Sequence, residues 1–318
     1  MKSRQIKPML AMLVNQAFNG ENWIFEIKWD GYRAMADISK GVVSLYSRNF
    51  SSFNAHYPDV VKDLSKVKES VLLDGEIIAS SKGHIGFQAL QTAGHSGAKI
   101  TFMIFDILFL SGVDLRALPL MKRKAMLRNF LKKYSRLKNI KESDYISGEG
   151  KRFYQLAVKR NLEGIMAKKK DSPYVSGERT QYWLKIKHHK SDEAVIVGFT
   201  APRGSRKKFG SIILAQYVKR KLVFIGYTGT GFSEKILNEL YGKMRRLIVK
   251  SSPFKENIPI HAPITWIKPA LVAQVKFAEW TAAHIMRQPV YLGLRGDKPA
   301  SAAIRERQVN TRKYNKKT

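Results

Sequence analysis

The stretch "WIFEIKWDGYRA", Trp23–Ala34, sets Lys28 inside a β-rich run that ends in an Asp-Gly turn. A lysine on a strand usually lays its stem on the sheet and extends its ammonium into water. A lysine whose pKa is lowered by partial burial or by neighbouring cations can instead attack as a neutral nucleophile. Glu26, Asp30 and Arg33 surround this lysine with polar groups, so residues elsewhere in the chain must decide between the two interpretations.

The composition limits the classes of protein to which the chain can belong. The chain has 318 residues, of which 44% are apolar and 26% are charged, as expected for a folded protein of about two domains. The formal net charge of +32 indicates a polyanionic partner, with nucleic acid as the first candidate. No apolar run reaches a membrane span and no signal peptide is visible, so a cytoplasmic protein is expected. The chain has no cysteine, which leaves oxygen or histidine ligands for any metal.

The first part of the sequence predicts an α+β domain. Short β-rich runs separated by turn signals fill residues 23–110 and indicate an antiparallel sheet. Helical periodicity follows in "LPLMKRKAMLRNFLKKYSRL", with Met126, Phe130 and Tyr134 four residues apart, and again in "YQLAVKRNLEG". Two more strand-like runs, "GIMAKKK" and "YWLKIKHH", close the domain. The polar stretch "HHKSDE" then marks a boundary and a hinge, which gives domains of residues 1–188 and 189–318.

The second part predicts a small β-barrel. The runs "EAVIVGFT", "GSIILAQYV" and "KLVFIGYTG" alternate with glycine-rich turns, as is typical of barrels built from short strands. One helix interrupts them, with Ser233 as its expected N-cap. The last dozen residues, "RQVNTRKYNKKT", are basic and are expected to be frayed.

A series of motifs extends outward from the opening stretch. The pattern Lys-x-Asp-Gly-x-Arg, from Lys28 to Arg33, is followed in order by "SRN", "DGEI", "MIFDIL", "EGIMAK" and "WLKIK". Together they resemble the catalytic motifs of the covalent nucleotidyltransferases, which comprise DNA ligases, RNA ligases and capping enzymes. Further on, "RQPVYLGLRGDKPA" resembles the last motif of the DNA ligases, of form Arg-x-Asp-Lys.

Nearly the whole chain resembles the ATP-dependent DNA ligases, and most of all the ligase module of bacterial end-joining ligase D. The resemblance implies a nucleotidyltransferase domain of ATP-grasp-like antiparallel sheets with helices, followed by an OB-fold barrel. It also implies the activity, which is the sealing of 5′-phosphate and 3′-hydroxyl nicks or ends in duplex DNA during repair or end joining. The reaction would pass through a lysyl-AMP intermediate and an adenylated DNA 5′ end.

The resemblance assigns roles to residues of the first domain. Lys28 would attack ATP and carry AMP, Glu26 would bind the adenine amino group, and Phe105 would offer an aromatic face to adenine. Glu76 would accept a hydrogen bond from the ribose. The remaining residues expected on the nucleotide or at the nick are Arg33 and Arg48.

Charged residues near the phosphates complete the expected site. Lys185 and Lys187 alternate along a strand and therefore share a face, where they would bind a phosphate and favour the neutral form of Lys28. Glu163, with Glu76, is the expected carboxylate site for Mg²⁺ or Mn²⁺, which completes its shell with water and substrate phosphates. In the second domain Arg295, Asp297 and Lys298 would orient the ATP pyrophosphate.

The positive charge is spread over both domains, as a clamp on nicked duplex DNA requires. The segment "TAPRGSRKKFGS" at residues 200–211 is the run most expected to contact DNA, because it lies on a glycine-rich turn of the barrel. The resemblance makes the end-joining protein Ku a candidate partner, although no sequence feature marks a docking surface. A monomer is expected.

Two alternatives stay open on the sequence alone. An enzyme with the same first step could seal or cap RNA, although the Arg-Gly-Asp-Lys motif favours a DNA ligase. A DNA-binding protein derived from a ligase could have lost catalysis, although the retention of Lys28, Glu163, Lys185 and Lys187 argues against decay.

Overall fold

The computed structural model describes residues 5–81, 84–85, 87, 89–90, 97–188, 190–202, 207–306 and 308–314. These residues form two compact units. Unit 1 comprises the described residues up to His188 together with 308–314, and unit 2 comprises the described residues from Lys190 to Glu306. His189 of the expected hinge, and Arg203, Gly204, Ser205 and Arg206 of the basic run expected to contact DNA, lie outside the described residues.

Unit 1 contains two sheets. Its strands are β1 Leu10–Leu13, β2 Gly20–Ile27, β3 Tyr32–Ser39, β4 Val42–Ser47, β5 Val71–Ser81, β6 His84–Ile85, β7 Lys99–Leu110, β8 Val113–Asp114, β9 Ile140–Glu142, β10 Tyr145–Gly148, β11 Gly164–Lys169 and β12 Arg179–Lys187. Sheet A has the order β1-β12-β11-β2-β10, and sheet B has the order β4-β3-β5-β7-β8, with β6 on β5 and β9 on β7.

Both faces of β2 are buried, which explains why its sequence does not alternate simply between apolar and polar residues. Phe25 packs with Ala167 and Leu184 in an apolar core on one face of sheet A. Because successive side chains point to opposite faces, Glu26 projects from the other face, and yet it is also closed off from solvent. A carboxylate in such a position needs charged or hydrogen-bonding partners.

The described helices are α1 Pro58–Leu64, α2 Leu120–Lys133, α3 Gly150–Lys159 and α4 Glu234–Met244. Helix α2 begins after Pro119, as the sequence predicts. Its buried face holds Leu120, Leu127 and Phe130 but also two cations, Arg123 and Lys124. No helix among the described residues is long and apolar enough to cross a membrane.

Unit 2 is a sheet with one helix against its core. Its strands are β13 Ser191–Thr200, β14 Ile212–Val218, β15 Lys221–Thr228, β16 Ile248–Val249, β17 Ile264–Lys276, β18 Glu279–Trp280, β19 Met286–Arg287 and β20 Val290–Leu294. The main sheet has the order β15-β14-β13-β17-β16, with β20 also on β17. Ser233 caps α4 by accepting a hydrogen bond from the Ile236 amide at 3.3 Å, which confirms the predicted N-cap.

The expectation of a frayed C-terminal segment is wrong for its described part, Gln308–Tyr314. Val309 forms a parallel bridge with Val14. Buried Thr311 donates its amide to the Asn15 side chain at 3.2 Å, and the Tyr314 ring stacks on Phe18 with centroids 5.4 Å apart. Residues 308–314 therefore belong to unit 1, whereas the sequence assigned them to a second domain of residues 189–318.

Candidate active site

The end of β2 lies beside β11 and β12, which carry the other motif residues. The Lys28 amide donates to the Gly164 carbonyl at 3.0 Å, and Gly164 is paired with Lys187 across the next strand. Gly164 has φ +147°, and a Cβ there would lie 2.0 Å from the Ile186 carbonyl oxygen. Only glycine fits this position. The cross-strand row formed by Lys28, Gly164 and Lys187 therefore carries no side chain at its central residue.

The neighbouring row carries Glu26. Glu26 is paired with Met166 on β11, and Met166 is paired with Lys185 on β12. Because alternate residues of a strand share a face, Glu26, Lys28, Lys185 and Lys187 project from the same face of sheet A. The two rows therefore bring the expected nucleophile and two further cations to one end of one face.

The side chains of Lys28 and Glu163 form an ion pair and are in direct contact. They are 19% and 10% exposed, so the pair is mostly buried but still accessible to solvent. Burial raises the pKa of Glu163, but Lys28, Lys187 and Lys185 together outweigh it and lower that pKa below its ordinary value. Glu163 is thus an ionised carboxylate surrounded by the lysines that the sequence assigns to phosphate chemistry.

Glu26 is held between two buried lysines. The Lys168 ammonium donates to Oε2 at 2.8 Å, and the Lys124 ammonium forms an ion pair with Oε1 at 2.5 Å. The three side chains are at most 2% exposed. Burial lowers the pKa of Lys168 to about 8, with Glu26 raising it and Lys124 lowering it further.

Phe105 connects the two sheets. Its ring meets the Trp183 ring edge to face, with centroids 6.0 Å apart. The Lys168 ammonium lies 4.2 Å from the Phe105 centroid, and the Arg33 guanidinium lies 4.8 Å from it. The ring expected to stack on adenine is therefore almost closed to solvent and is contacted by two cations.

Arg33 is fixed within unit 1 by Asp74 of the "DGEI" motif. Its guanidinium donates two hydrogen bonds to Asp74, from Nε at 2.7 Å and Nη2 at 2.5 Å. Tyr174 donates its hydroxyl to the same carboxylate at 2.6 Å and accepts from the Met9 amide at 2.9 Å. Burial lowers the pKa of Arg33, but Asp74 more than offsets it and the net shift is upward. Asp74 thus sets the position of Arg33.

Glu76 and Arg48 occupy neighbouring parts of sheet B. Glu76 on β5 pairs directly with Arg33 on β3, so both project from one face. A Cβ on Gly31 would lie 3.2 Å from the Glu76 side chain, which places the Asp-Gly turn against this carboxylate. Arg48 is half-buried in the turn that follows β4.

The Arg-x-Asp-Lys motif is internally paired within unit 2. Arg295 donates to both carboxylate oxygens of Asp297 at 2.8 Å, and this pair is buried. Lys298 contacts Glu193 through a side-chain ion pair. Arg295 and Lys298 therefore both have carboxylate partners in unit 2.

The carboxylates suit a sparsely coordinated divalent cation. Among the described residues, no group of three or more Asp, Glu or His side chains could enclose a metal. Magnesium is commonly held by one or two carboxylates together with water and substrate phosphates. The ionised Glu163 beside three lysines provides such a donor next to a site for phosphates, so its chemistry fits the expected metal.

Sequence reasoning missed the buried partners that fix these groups. Lys124 holds Glu26, and Arg123 makes a bidentate pair with Asp106 at 2.8 and 3.0 Å. Asp106 and Asp74 stand in the "MIFDIL" and "DGEI" motifs beside apolar runs, a pattern that signals burial and hence the need for a partner. Nothing near Lys124 in the sequence distinguishes it from a surface lysine.

Two family models cover most of the chain. Residues 8–187 match the ATP dependent DNA ligase domain, and residues 205–298 match the ATP dependent DNA ligase C terminal region. The chain belongs to the ATP-dependent DNA ligases. Unit 1 accordingly has the nucleotidyltransferase fold and unit 2 the OB fold, in agreement with the α+β class predicted from the sequence. Membership of this family implies ATP as the co-substrate.

Curated relatives identify the group within the family that the chain resembles. It is 35% identical over 311 residues to the multifunctional non-homologous end joining protein LigD of Pseudomonas aeruginosa, covering 95% of this chain and 37% of that protein. It is likewise 35% identical over 309 residues to the multifunctional non-homologous end joining DNA repair protein LigD of Mycobacterium tuberculosis, covering 95% of this chain and 40% of that protein. The chain thus spans about two-fifths of these relatives.

Solved structures agree with this placement. The mycobacterial DNA ligase D complexed with ATP and MES superimposes with a TM-score of 0.69 at 32% identity, covering 96% of this chain and all of that one. The ligase domain of M. tuberculosis LigD gives a TM-score of 0.53 at 32% identity, with coverage of 95% and 98%.

Proposed function

We propose that this chain is a DNA-sealing enzyme that joins a 5′-phosphate to a 3′-hydroxyl in duplex DNA, with Lys28 as the residue that carries AMP. One observation carries the proposal: Lys28, Glu163, Lys185 and Lys187 meet on one face of sheet A. A lysine nucleophile with a carboxylate and two further cations suits attack on a phosphate whose oxygens need neutralisation.

The reaction has three group transfers. The Lys28 Nζ attacks the α-phosphorus of ATP, an N–P bond forms, the bond to the bridging oxygen breaks, and pyrophosphate leaves as Lys28 gives up a proton. An oxygen of the DNA 5′-phosphate then attacks the same phosphorus and displaces the lysine. Finally the 3′-hydroxyl oxygen attacks the 5′-phosphorus, loses its proton and displaces AMP. The covalent intermediate divides a difficult joining reaction into easier steps.

Side chains from both sheets of unit 1 bind the nucleotide. Glu26 accepts a hydrogen bond from the adenine 6-amino group, and Phe105 contributes an aromatic contact to the base. Glu76, Arg33 and Arg48 bind the ribose and the phosphates. The support is that Arg33 and Glu76 are paired neighbours on sheet B and that Asp74 holds Arg33 rigidly.

The phosphates are bound by cations. Lys185 and Lys187 contact the α-phosphate, where positive charge stabilises the developing transition state. Arg295, Asp297 and Lys298 orient the pyrophosphate in the first step, with Asp297 holding the guanidinium fork of Arg295 in a fixed plane. Glu163, with Glu76, holds Mg²⁺ or Mn²⁺, which supplies charge neutralisation on the phosphates.

Nicked duplex DNA is the proposed substrate, and end joining or repair is the proposed role. The net charge of +32 supports binding to a polyanion, and the similarity to LigD proteins supports the role. We further propose that the chain acts as a monomer in the bacterial cytoplasm and that Ku is a partner at DNA ends.

The first test is formation of the covalent intermediate. The protein is incubated with ATP and Mg²⁺, and the mass of AMP is sought on the intact chain and on the Lys28 peptide. Lys28→Ala is expected to abolish the adduct. Lys99→Ala, which alters an exposed lysine at the start of β7, is expected to leave it intact. An adduct on Lys28→Ala would refute the assignment of the nucleophile.

The second test separates DNA sealing from its alternatives. The labelled adduct is chased onto a nicked DNA duplex and a nicked RNA duplex of the same sequence. Transfer and sealing are expected on DNA. Sealing confined to RNA would favour the RNA ligase alternative, and DNA binding without any adduct would favour a protein that has lost catalysis.

A further inference from the structure

Lys124 is a cation in the interior of unit 1, on the buried face of α2. Its side chain is 1% exposed, and its ammonium lies 2.5 Å from Oε1 of Glu26. The same ammonium donates weakly to the Ser143 carbonyl at 3.4 Å and lies 5.5 Å from the Tyr145 ring. These three contacts are with the strands and loop beside the expected base-binding carboxylate.

Glu26 is paired with more positive charge than a purely structural ion pair would need. A single lysine would neutralise one carboxylate, and each additional buried ammonium costs free energy through desolvation. Here Lys124 and Lys168 both pair with Glu26, one on each oxygen. A second buried cation on the same carboxylate is explained if the function of Glu26 depends on the orientation of its carboxylate.

Two ammonium partners, one on each oxygen, fix the plane of the Glu26 carboxylate. An ionised carboxylate is an acceptor with about four lone-pair sites, so capacity remains after the two lysines. Among the described residues, Oε1 is buried and accepts no hydrogen bond of good geometry, although the Lys124 ammonium lies 2.5 Å from it. Such a group accepts from a 6-amino substituent and repels a 6-oxo substituent.

We infer that Lys124 is a positioning residue for base selection, which orients Glu26 so that it recognises the 6-amino group of adenine. This inference rests on the proposed function, because it presumes that Glu26 reads the base. Lys124 contacts Glu26, Ser143 and Tyr145. It acts through Glu26, from a helix that belongs to none of the motifs that the sequence singled out.

The test compares two nucleotides in the first step alone. The rate of lysyl-AMP formation is measured against concentration for ATP and for purine riboside triphosphate, which has hydrogen in place of the 6-amino group. Lys124→Met is expected to lower kcat/KM for ATP roughly 10- to 100-fold, chiefly through KM, the size of one charge-assisted contact. With the purine analogue, the loss is expected to stay within about threefold, since the analogue makes no such contact.

Control variants separate positioning from stability. Leu127→Ala removes a fully buried side chain one turn along the same helix, and it should lower thermal stability without changing the ratio of the two nucleotides. Lys124→Arg keeps the charge and should recover most of the ATP preference. If Lys124→Met does not fold, Lys124→Gln, which keeps a donor but not the charge, provides the same comparison.

The outcomes distinguish this inference from the proposed function. If wild-type protein forms no adduct with either nucleotide, the proposed function fails and this inference fails with it. If wild type is active and the Lys124 variants lose equal activity with both nucleotides, or lose none, the inference alone is wrong. The inference would also be wrong if Leu127→Ala changed the ratio of kcat/KM for the two nucleotides as much as Lys124→Met does.

Discussion

The ammonium of Lys28, just after β2, is in direct contact with the carboxylate of Glu163, just before β11. The contact joins two residues that are 135 positions apart in the chain. It occurs because the Lys28 amide is bonded to the Gly164 carbonyl, which brings the ends of the two strands together. The backbone of sheet A therefore sets the spacing of the expected nucleophile and its carboxylate.

Replacement of this carboxylate should slow the first step. We expect Glu163→Gln to lower the rate of lysyl-AMP formation roughly 100-fold, because it removes the carboxylate proposed to hold the metal beside the phosphates. It should also raise the Mg²⁺ concentration needed for half-maximal rate, measured by metal titration at saturating ATP. The control is Glu149→Gln, at an exposed position just before α3. An unchanged metal requirement would contradict the metal role of Glu163.

Gly164 allows a direct test of the sheet that builds the site. In Gly164→Ala the new methyl would lie 2.0 Å from the Ile186 carbonyl oxygen at φ +147°, so β11 and β12 must separate. We expect a loss of about 2 kcal/mol or more in the free energy of unfolding, measured with urea.

Gly112→Ala is the matched control, because Gly112 also has a positive φ of +89° but nothing lies within 4 Å of the position that its new methyl would take. Gly112→Ala introduces backbone strain without a steric clash, so its loss in the free energy of unfolding should be smaller than that of Gly164→Ala. Equal losses in the two variants would show that the close approach of Ile186 has no effect.

The buried ammonium of Lys168 should make stability depend on pH in an alkaline window. Burial lowers the pKa of Lys168 from 10.5 to about 8, so between these values the unfolded chain binds the proton more strongly than the folded chain. The free energy of unfolding therefore gains a favourable contribution as pH rises from about 8 to about 10.5. This gain should be missing from Lys168→Met.

The measurement is urea unfolding of both proteins at several pH values. Their difference in free energy of unfolding should change across the window and be constant at lower pH. Lys169→Met serves as the control, since Lys169 is 38% exposed and pairs with exposed Asp171. If the difference between wild type and Lys169→Met changed with pH as much as the difference between wild type and Lys168→Met, the role of burial would be contradicted.

Tyr314 should contribute to the stability of unit 1. Its ring contacts Phe18 and Trp23, with centroids 5.4 and 5.5 Å away. We expect Tyr314→Ala to cost about 2 to 4 kcal/mol in the unfolding of unit 1, in the range of large-to-small replacements. Tyr314→Phe keeps the ring and should retain most of the stability. Thermal unfolding monitored by tryptophan fluorescence would detect the change, and a wild-type midpoint in Tyr314→Ala would refute it.

The strands and motifs of unit 1 could be predicted because their signals are local. Alternation in "WLKIK" places Lys185 and Lys187 on one face, and β12 has that arrangement. The Ser233 cap was likewise predictable from the residues that follow it. These features depend on neighbours a few positions away, which a single sequence displays.

The buried cations were not predictable, because their partners lie far away in the chain. The periodicity of α2 indicated a stripe through Met126 and Phe130, whereas the buried face includes Arg123 and Lys124. A hydrophobic pattern treats a lysine as a solvent-facing position. Only the arrival of Glu26 from β2 makes Lys124 a buried residue. The role of Gln308–Tyr314 escaped prediction for the same reason, since Asn15 and Phe18 lie at the other end of the chain.

The return of residues 308–314 to unit 1 affects the order in which the chain can fold. A ribosome releases the chain from its N-terminus, so all of unit 2 emerges before Val309, Thr311 and Tyr314 reach their partners. Until then Phe18 and Trp23 lack their contacts with the Tyr314 ring. Contacts between the first and last parts of a sequence form slowly because the intervening chain must be ordered first. The nascent protein therefore exposes an aromatic patch until residues 308–314 emerge, and a chaperone that binds such patches can reach it during that interval.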